Sequence, residues 1–454
     1  MDSVTTELAV KTDSDHEKLF KNYCSSCHGQ TARVFVDRKW RYGNSKEALI
    51  RSITKGIPDA GMPSYEEGLS TEEIAGIADY ILSGIEDRNT YTEAERATPS
   101  SYRTDYYNLE IDTVVADLEV PWGIKAHQDG TLFFTERKGT FSVMTPDGNI
   151  TEIQDVPKAK SFGQGGMMDV ALHPDYDDNG WIYLSYSKPN GTKVTTAVAR
   201  GRIDQGRWVD HEEIFEAQPY VSTRYHFGSR IVFDKEGYMY VTVGDRGKRD
   251  DHPQFLTNDC GKVHRLHDDG TCPDSNPYND GDDQNRCSIW SYGHRNQQGM
   301  IYDPQSDQIW THEHGPRGGD ELNLIVKGKN YGWPKLSFGI NYNGTTFTTE
   351  TEAEGMPNAK NVWNPSIAPS GMALVSDDYE LWSGDILTGS LRFDYVSRIR
   401  VENEKVMNEE RILEGIGRVR AIEMGADGVL YVGVEDPGRI LRVRVVSDNV
   451  LEKR

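Results

Sequence analysis

Two thiols and an imidazole are packed together near the start of the chain: Cys24, Cys27 and His28, in "YCSSCHGQ". The C-x-x-C-H spacing is that of covalent haem c attachment: two cysteines add to the haem vinyl groups and the adjacent histidine supplies one axial ligand to iron. The iron takes a second axial ligand, commonly methionine. Between Met1 and Met144 the sequence offers only Met62, in "GIPDAGMPSYEEGLS". A zinc site competes for the same thiols, but tetrahedral zinc needs four ligands and the first hundred residues add only His16, at no familiar spacing. A thiol redox pair and a core methionine are the plainer readings. His28 and Met62 as iron ligands explain more of the segment.

These residues need elements to hold them. "TDSDHEKLFKNYC" can start a helix at Asp13 and puts Leu19, Phe20 and Tyr23 on one face, running into the haem motif. "STEEIAGIADYILSG" opens with a capping box, Ser70 and Glu73. It spaces Ile74, Ile77, Ala78, Ile81 and Leu82 at helical period and closes on Gly84. Over about residues 10 to 88 this arrangement resembles the small class I cytochromes c. The resemblance implies one haem, with His28 proximal and Met62 distal.

At 454 residues the chain exceeds one ordinary domain. Net charge is −22, which disfavours nucleic acid or anionic lipid as a partner, since both require surface Lys and Arg. The longest apolar approach, "IAGIADYIL", is too short to span a bilayer. "MDSVTTELAV" has no basic or apolar leader region, so any secretion signal is expected to be absent or removed. Residues 1–88 are read as an all-α cytochrome c domain, 89–108 as a polar linker, and 109–454 as a second, all-β domain.

That second domain repeats one phrase, a polar turn with a following aromatic and β-branched strand. It occurs as "QDGTLFFTER", "DNGWIYLSYS", "KEGYMYVTVGD", "QSDQIWTHEHG", "DYELWSGDIL" and "ADGVLYVGVED". Six units with variable loops predict a six-bladed β-propeller whose repeated strands are half buried. A propeller alone serves binding as readily as catalysis.

The loops are more specific. "SFGQGGMMDVALHPDY", "TRYHFGSRIVFDKEGYMYVTVGDRG", "IWSYGHRNQQGM", "THEHGPRGGDELNL" and "KGKNYGWP" occur together and in order. From about residue 111 to 444 the chain resembles the soluble PQQ-dependent aldose sugar dehydrogenases, a branch of the glucose/sorbosone dehydrogenase group. The resemblance implies His226 as the base that takes a sugar hydroxyl proton and Asp245 as the acid that orients it. It places Gln164, Arg295, Asn296, Trp363, Arg392, Arg418 and Arg420 at pyrroloquinoline quinone (PQQ), a tricarboxylate suited to arginine forks. Arg392 falls where relatives usually carry a lysine. Calcium is implied at the quinone on the carbonyls of Gly315 and Pro316, and at a structural site on Glu321 and Tyr331, leaving His312 and His314 unassigned.

The expected function is oxidation of an aldose at C1 to a lactone, with electrons passed from PQQ to haem c and on to an external cytochrome or oxidase. The alternatives are another polyol, sorbosone or a secondary alcohol as substrate, or a non-catalytic ligand-binding propeller. Cys272 and Cys287 bracket a polar loop and are expected to pair, leaving Cys260, although all three pairings stay open. Haem c and a disulfide together point to a periplasmic or secreted protein.

Overall fold

The computed structural model describes residues 15–25, 32, 42–57, 62–86, 98–279, 286–342, 344–426, 428–435 and 437–448. Cys27 and His28 lie outside them.

Three helices are described in the N-terminal domain: α1 (Asp15–Tyr23), α2 (Lys46–Lys55) and α3 (Thr71–Glu86). The capping box forms as the sequence predicts. Ser70 N–H donates to Glu73 Oε2 at 2.7 Å and Glu73 N–H donates to Ser70 Oγ at 3.2 Å. The helix runs past Gly84 to Glu86. Its Ile74, Ile77, Ala78 and Ile81 bury against Phe20 of α1 and Leu49 and Ile53 of α2, with Cys24 buried and Met62 half buried at the edge of that core. Helices α1 and α3 approach closely because residue 76 is glycine: a Cβ there would lie 2.4 Å from the His16 ring.

The β-domain is a ring of six antiparallel sheets. Five are four-stranded meanders, covering residues 121–152, 167–216, 231–292, 297–363 and 369–412. The first strands of successive sheets pack side by side around the axis. Burial falls outward: Met167–Leu172 at the axis is almost entirely buried, whereas the outer strand Ile150–Glu152 is exposed throughout. The six repeated phrases form or lead into the second strand of each blade. These strands are not half buried as expected: Leu132–Glu136, Met239–Val243 and Ile386–Ser390 are buried at every residue, because neighbouring blades cover both faces.

The sixth blade joins both ends of the domain. Arg418–Met424, Leu430–Glu435 and Gly438–Asp448 come from the C-terminus, and Tyr107–Leu118 and Ser101–Arg103 complete the sheet, with Ile111 opposite Val443. The propeller sheet therefore starts at Ser101, ahead of the expected boundary at 109. Ser101–Arg103 pair with Asn108–Glu110, and Tyr107 and Asn108 pair in turn with Asp448 and Ser447 at the chain end, which draws this polar-looking segment into the sheet. Cys272 and Cys287 are joined by a disulfide, and Cys260 is buried apart from it.

Candidate functional site

Loops at one end of the propeller axis converge on a cavity of about 730 Å³. His226 enters it from the connection between the second and third blades, with φ of +58°. A non-glycine residue in that left-handed region is held there by its surroundings. Its N–H donates to Gln164 Oε1 at 2.8 Å, and its Nδ1 lies 2.6 Å from Asp245 Oδ1. Asp245 is fixed in turn by the Gly247 N–H at 2.7 Å and the Trp333 indole N–H at 2.8 Å. Gly244 allows the close approach of the two loops, since a Cβ there would meet the His226 carbonyl oxygen at 2.4 Å.

Burial and then the Arg295 charge lower the pKa of His226 against the opposing pull of Asp245. Burial alone would raise Asp245, but the imidazole, Arg295 and the Gly247 N–H bring it below the ordinary carboxylate range. With Nδ1 committed to an ionised Asp245, a neutral His226 keeps the Nε2 lone pair for a proton at the cavity. This is the geometry of an oriented general base.

Opposite the base, Arg418 Nε and Arg420 Nε donate to the two oxygens of Glu435 at 2.9 and 2.7 Å. Burial lowers Arg420 to about 10, while Glu435, which burial would raise, falls to about 2 beside Arg420, Arg418 and Arg137. Two guanidiniums share one largely buried carboxylate, and Arg137 and Arg295 line the same cavity, an arginine-rich setting that suits a polyanionic ligand such as a tricarboxylate. Arg295 donates to the His314 carbonyl at 3.0 Å and, with Asn296 and Gln164, lines the same cavity.

Two residues expected at the cofactor are not among those that line this cavity. Trp363 is buried in the core between blades, its indole N–H donating to Glu409 Oε1 at 2.7 Å, and it is not among the cavity-lining residues. Arg392 is also outside the cavity wall. It donates to the carbonyls of Ser366 and Lys21, both at 3.0 Å, and to Ser25 Oγ at 3.1 Å. Motif position did not reveal the partners that hold either side chain. Arg137, Gln298 and Trp333 were missed, although all lie in or beside quoted motifs; Arg137 and Gln298 line the cavity. Trp333 is the second anchor of Asp245.

Gly315 and Pro316 line the cavity, and Asp320 holds their loop by accepting from the Gly315 N–H at 2.8 Å. Glu321 lies elsewhere, half-buried opposite Glu313 across two paired strands, and Asn323 Nδ2 donates to both carboxylates. Burial and then the Glu313 charge push Glu321 up, a strain that a bound cation would relieve. Tyr331 is buried nearby, its ring stacked 4.5 Å from that of His294. His312 and His314 each face a backbone carbonyl, of Gly371 and Pro369 respectively, and burial lowers both.

The wall facing the propeller loops is formed by the N-terminal domain: Tyr23, Cys24, Met62, Pro63 and Tyr65 line the cavity that His226 enters. Met62 is held by paired backbone hydrogen bonds with Ile57, at 2.8 and 3.1 Å.

Comparison with known proteins agrees with both halves. The glucose/sorbosone dehydrogenase family model matches residues 118–442, and that of the cbb3-type cytochrome c oxidase subunit III matches residues 12–81. The aldose sugar dehydrogenase of Escherichia coli K12 is 38% identical over 346 residues, covering 74% of this chain and 92% of its own. Its apo-form crystal structure superposes with a TM-score of 0.70 at 35% identity, covering 74% of this chain and 99% of that one. The PQQ-bound aldose sugar dehydrogenase of Streptomyces coelicolor gives 0.63 at 25% identity, covering 77% of this chain and 100% of that one. Subunit CcoP of the cbb3-type oxidase of Rubrivivax gelatinosus is 32% identical over 74 residues, 15% of this chain and 24% of its own. With its family model matched over the propeller and a cytochrome c domain ahead of it, the chain belongs to the glucose/sorbosone dehydrogenase family of oxidoreductases.

Proposed function

We propose that the protein is a PQQ-dependent aldose dehydrogenase that oxidises sugars at C1 to lactones and passes the electrons to its own haem c. The observation that carries this reading is the oriented His226–Asp245 pair in an arginine-rich cavity whose opposite wall includes Cys24 and Met62.

His226 Nε2 takes the proton of the anomeric hydroxyl, and Asp245 holds the ring and stabilises the imidazolium that results. Arg295, Arg418 and Arg420 bind the carboxylates of PQQ, with Gln164 and Asn296 as amide contacts. When bound, PQQ supplies the hydride acceptor, calcium on Gly315 and Pro316 a Lewis acid, and haem c on Cys24, Cys27, His28 and Met62 a one-electron outlet. Glu321 and Tyr331 are the proposed holders of a second, structural calcium. The disulfide and the thioether haem support a periplasmic or secreted site of action, with an external cytochrome or oxidase as final acceptor. No described helix is long and apolar enough to cross a membrane.

The test is to load the protein with PQQ and calcium, add a panel of aldoses and polyols, and follow the haem spectrum. Reduction by aldoses with lactone formation is expected. Dye reduction without haem reduction would reject the relay, and absence of quinone uptake would return the propeller to a binding role.

A further inference from the structure

At the C-terminal end of α1 the Ser25 hydroxyl donates to the Lys21 carbonyl, and the helix dipole makes this end attractive to a cation. Arg392 of the propeller meets it there. One nitrogen donates to the Lys21 carbonyl at 3.0 Å and Nε donates to Ser25 Oγ at 3.1 Å, while a third N–H grips the propeller's own Ser366 carbonyl at 3.0 Å. Beside it, the Arg317 guanidinium sits 4.2 Å from the centre of the Tyr23 ring, a cation–π contact on the same helix turn. The two arginines come from different blades, the fourth and the fifth, so together they fix the angle of α1 as well as its position. The turn they grip leads directly into Cys24, which lines the cavity with Met62.

We propose that Arg392 and Arg317 form a two-point clamp that seats the cytochrome domain on the rim of the propeller cavity, turning its Cys24 and Met62 face toward His226. A domain joined only through a polar connector would by default move relative to its neighbour. The clamp makes the cytochrome a fixed partner, and a planar, forked guanidinium is what allows one residue to bridge three oxygens on two domains. The clamp itself depends only on this interface. Its role in electron transfer rests on the proposed function above.

The test compares the full-length oxidised protein with its R317A, R392A, R392K and R317A/R392A variants. Hydrogen exchange of the peptide covering residues 19–25 and the radius of gyration from X-ray scattering are measured first, without sugar. In the double variant, exchange is expected to rise about tenfold or more, in line with losing two charge-assisted contacts, and the radius of gyration to increase. R392K, which keeps charge but not the fork, is expected to fall between native and R392A. PQQ uptake and sugar-driven dye reduction are expected to match the native protein, while sugar-driven haem reduction slows. Unchanged exchange and scattering in the double variant would overturn the clamp, and so would loss of quinone uptake in R392A, which would return Arg392 to the cofactor site. If native haem is reduced by no sugar while the exchange effect persists, the relay fails and the clamp stands.

Discussion

His226 does one job through two neighbours with opposite demands. Asp245 orients it and favours the imidazolium, whereas burial and Arg295 favour the neutral ring, and the net result lies below the ordinary imidazole range. The base form therefore dominates above that lowered pKa and is lost as pH falls through it, so the acid limb of kcat/KM is expected below 6.5. A limb at or above that value would show that the imidazole is not held neutral. His226→Ala should lower sugar oxidation by about 10² to 10⁴ with quinone binding retained. Asp245→Asn should also slow kcat, by loss of tautomer control rather than of binding, which steady-state kinetics at saturating sugar would separate. The sequence displayed His226, Asp245, Arg295, Arg418 and Arg420 by motif. It did not display Trp333 as the second anchor of Asp245, because a hydrogen bond between loops 88 residues apart has no local signature.

Elements here carry stability that can be measured separately from activity. The capping box at Ser70 and Glu73 satisfies otherwise unpaired N–H groups, and Ser70→Ala is expected to cost about 1 kcal/mol, read as a lower thermal midpoint of the haem-domain transition. The Cys272–Cys287 bridge closes a loop with a sequence separation of 15, and its removal by a Cys272→Ser and Cys287→Ser double variant should cost about 3 kcal/mol in chemical unfolding. The capping box was readable locally, whereas the disulfide was expected between these two cysteines with the other pairings left open. Trp363 and Arg392 show where local reading ends: a tryptophan and a cation at motif positions are visible, but the direction each side chain takes is set by packing against Glu409 in one case and α1 in the other.

At the scale of the whole molecule, closure of the ring is the main structural decision. Because the sixth blade combines Tyr107–Leu118 with the last three strands, a chain starting after Leu118 is expected to lose cooperative folding, whereas one starting at residue 98 should keep it; circular dichroism and thermal melting distinguish them. The proposed structural calcium supplies a second global test. The half-buried Glu321 beside Glu313 is expected to make the melting temperature rise with calcium and fall with chelator, and Glu321→Gln should abolish that dependence.

The sequence by itself determined the two-part organisation, the haem motif, the six repeats and the proposed base with its arginine neighbours, because each is written in short-range spacing or in a run of ordered motifs. Tertiary structure decided the rest. It showed that both faces of the repeated strands are buried, that the segment read as a linker joins the last blade from Ser101, that Glu409 and α1 hold Trp363 and Arg392, and that Cys24 and Met62 line the cavity His226 enters. These facts depend on contacts between residues far apart in the chain, where geometry rather than residue type selects the partner.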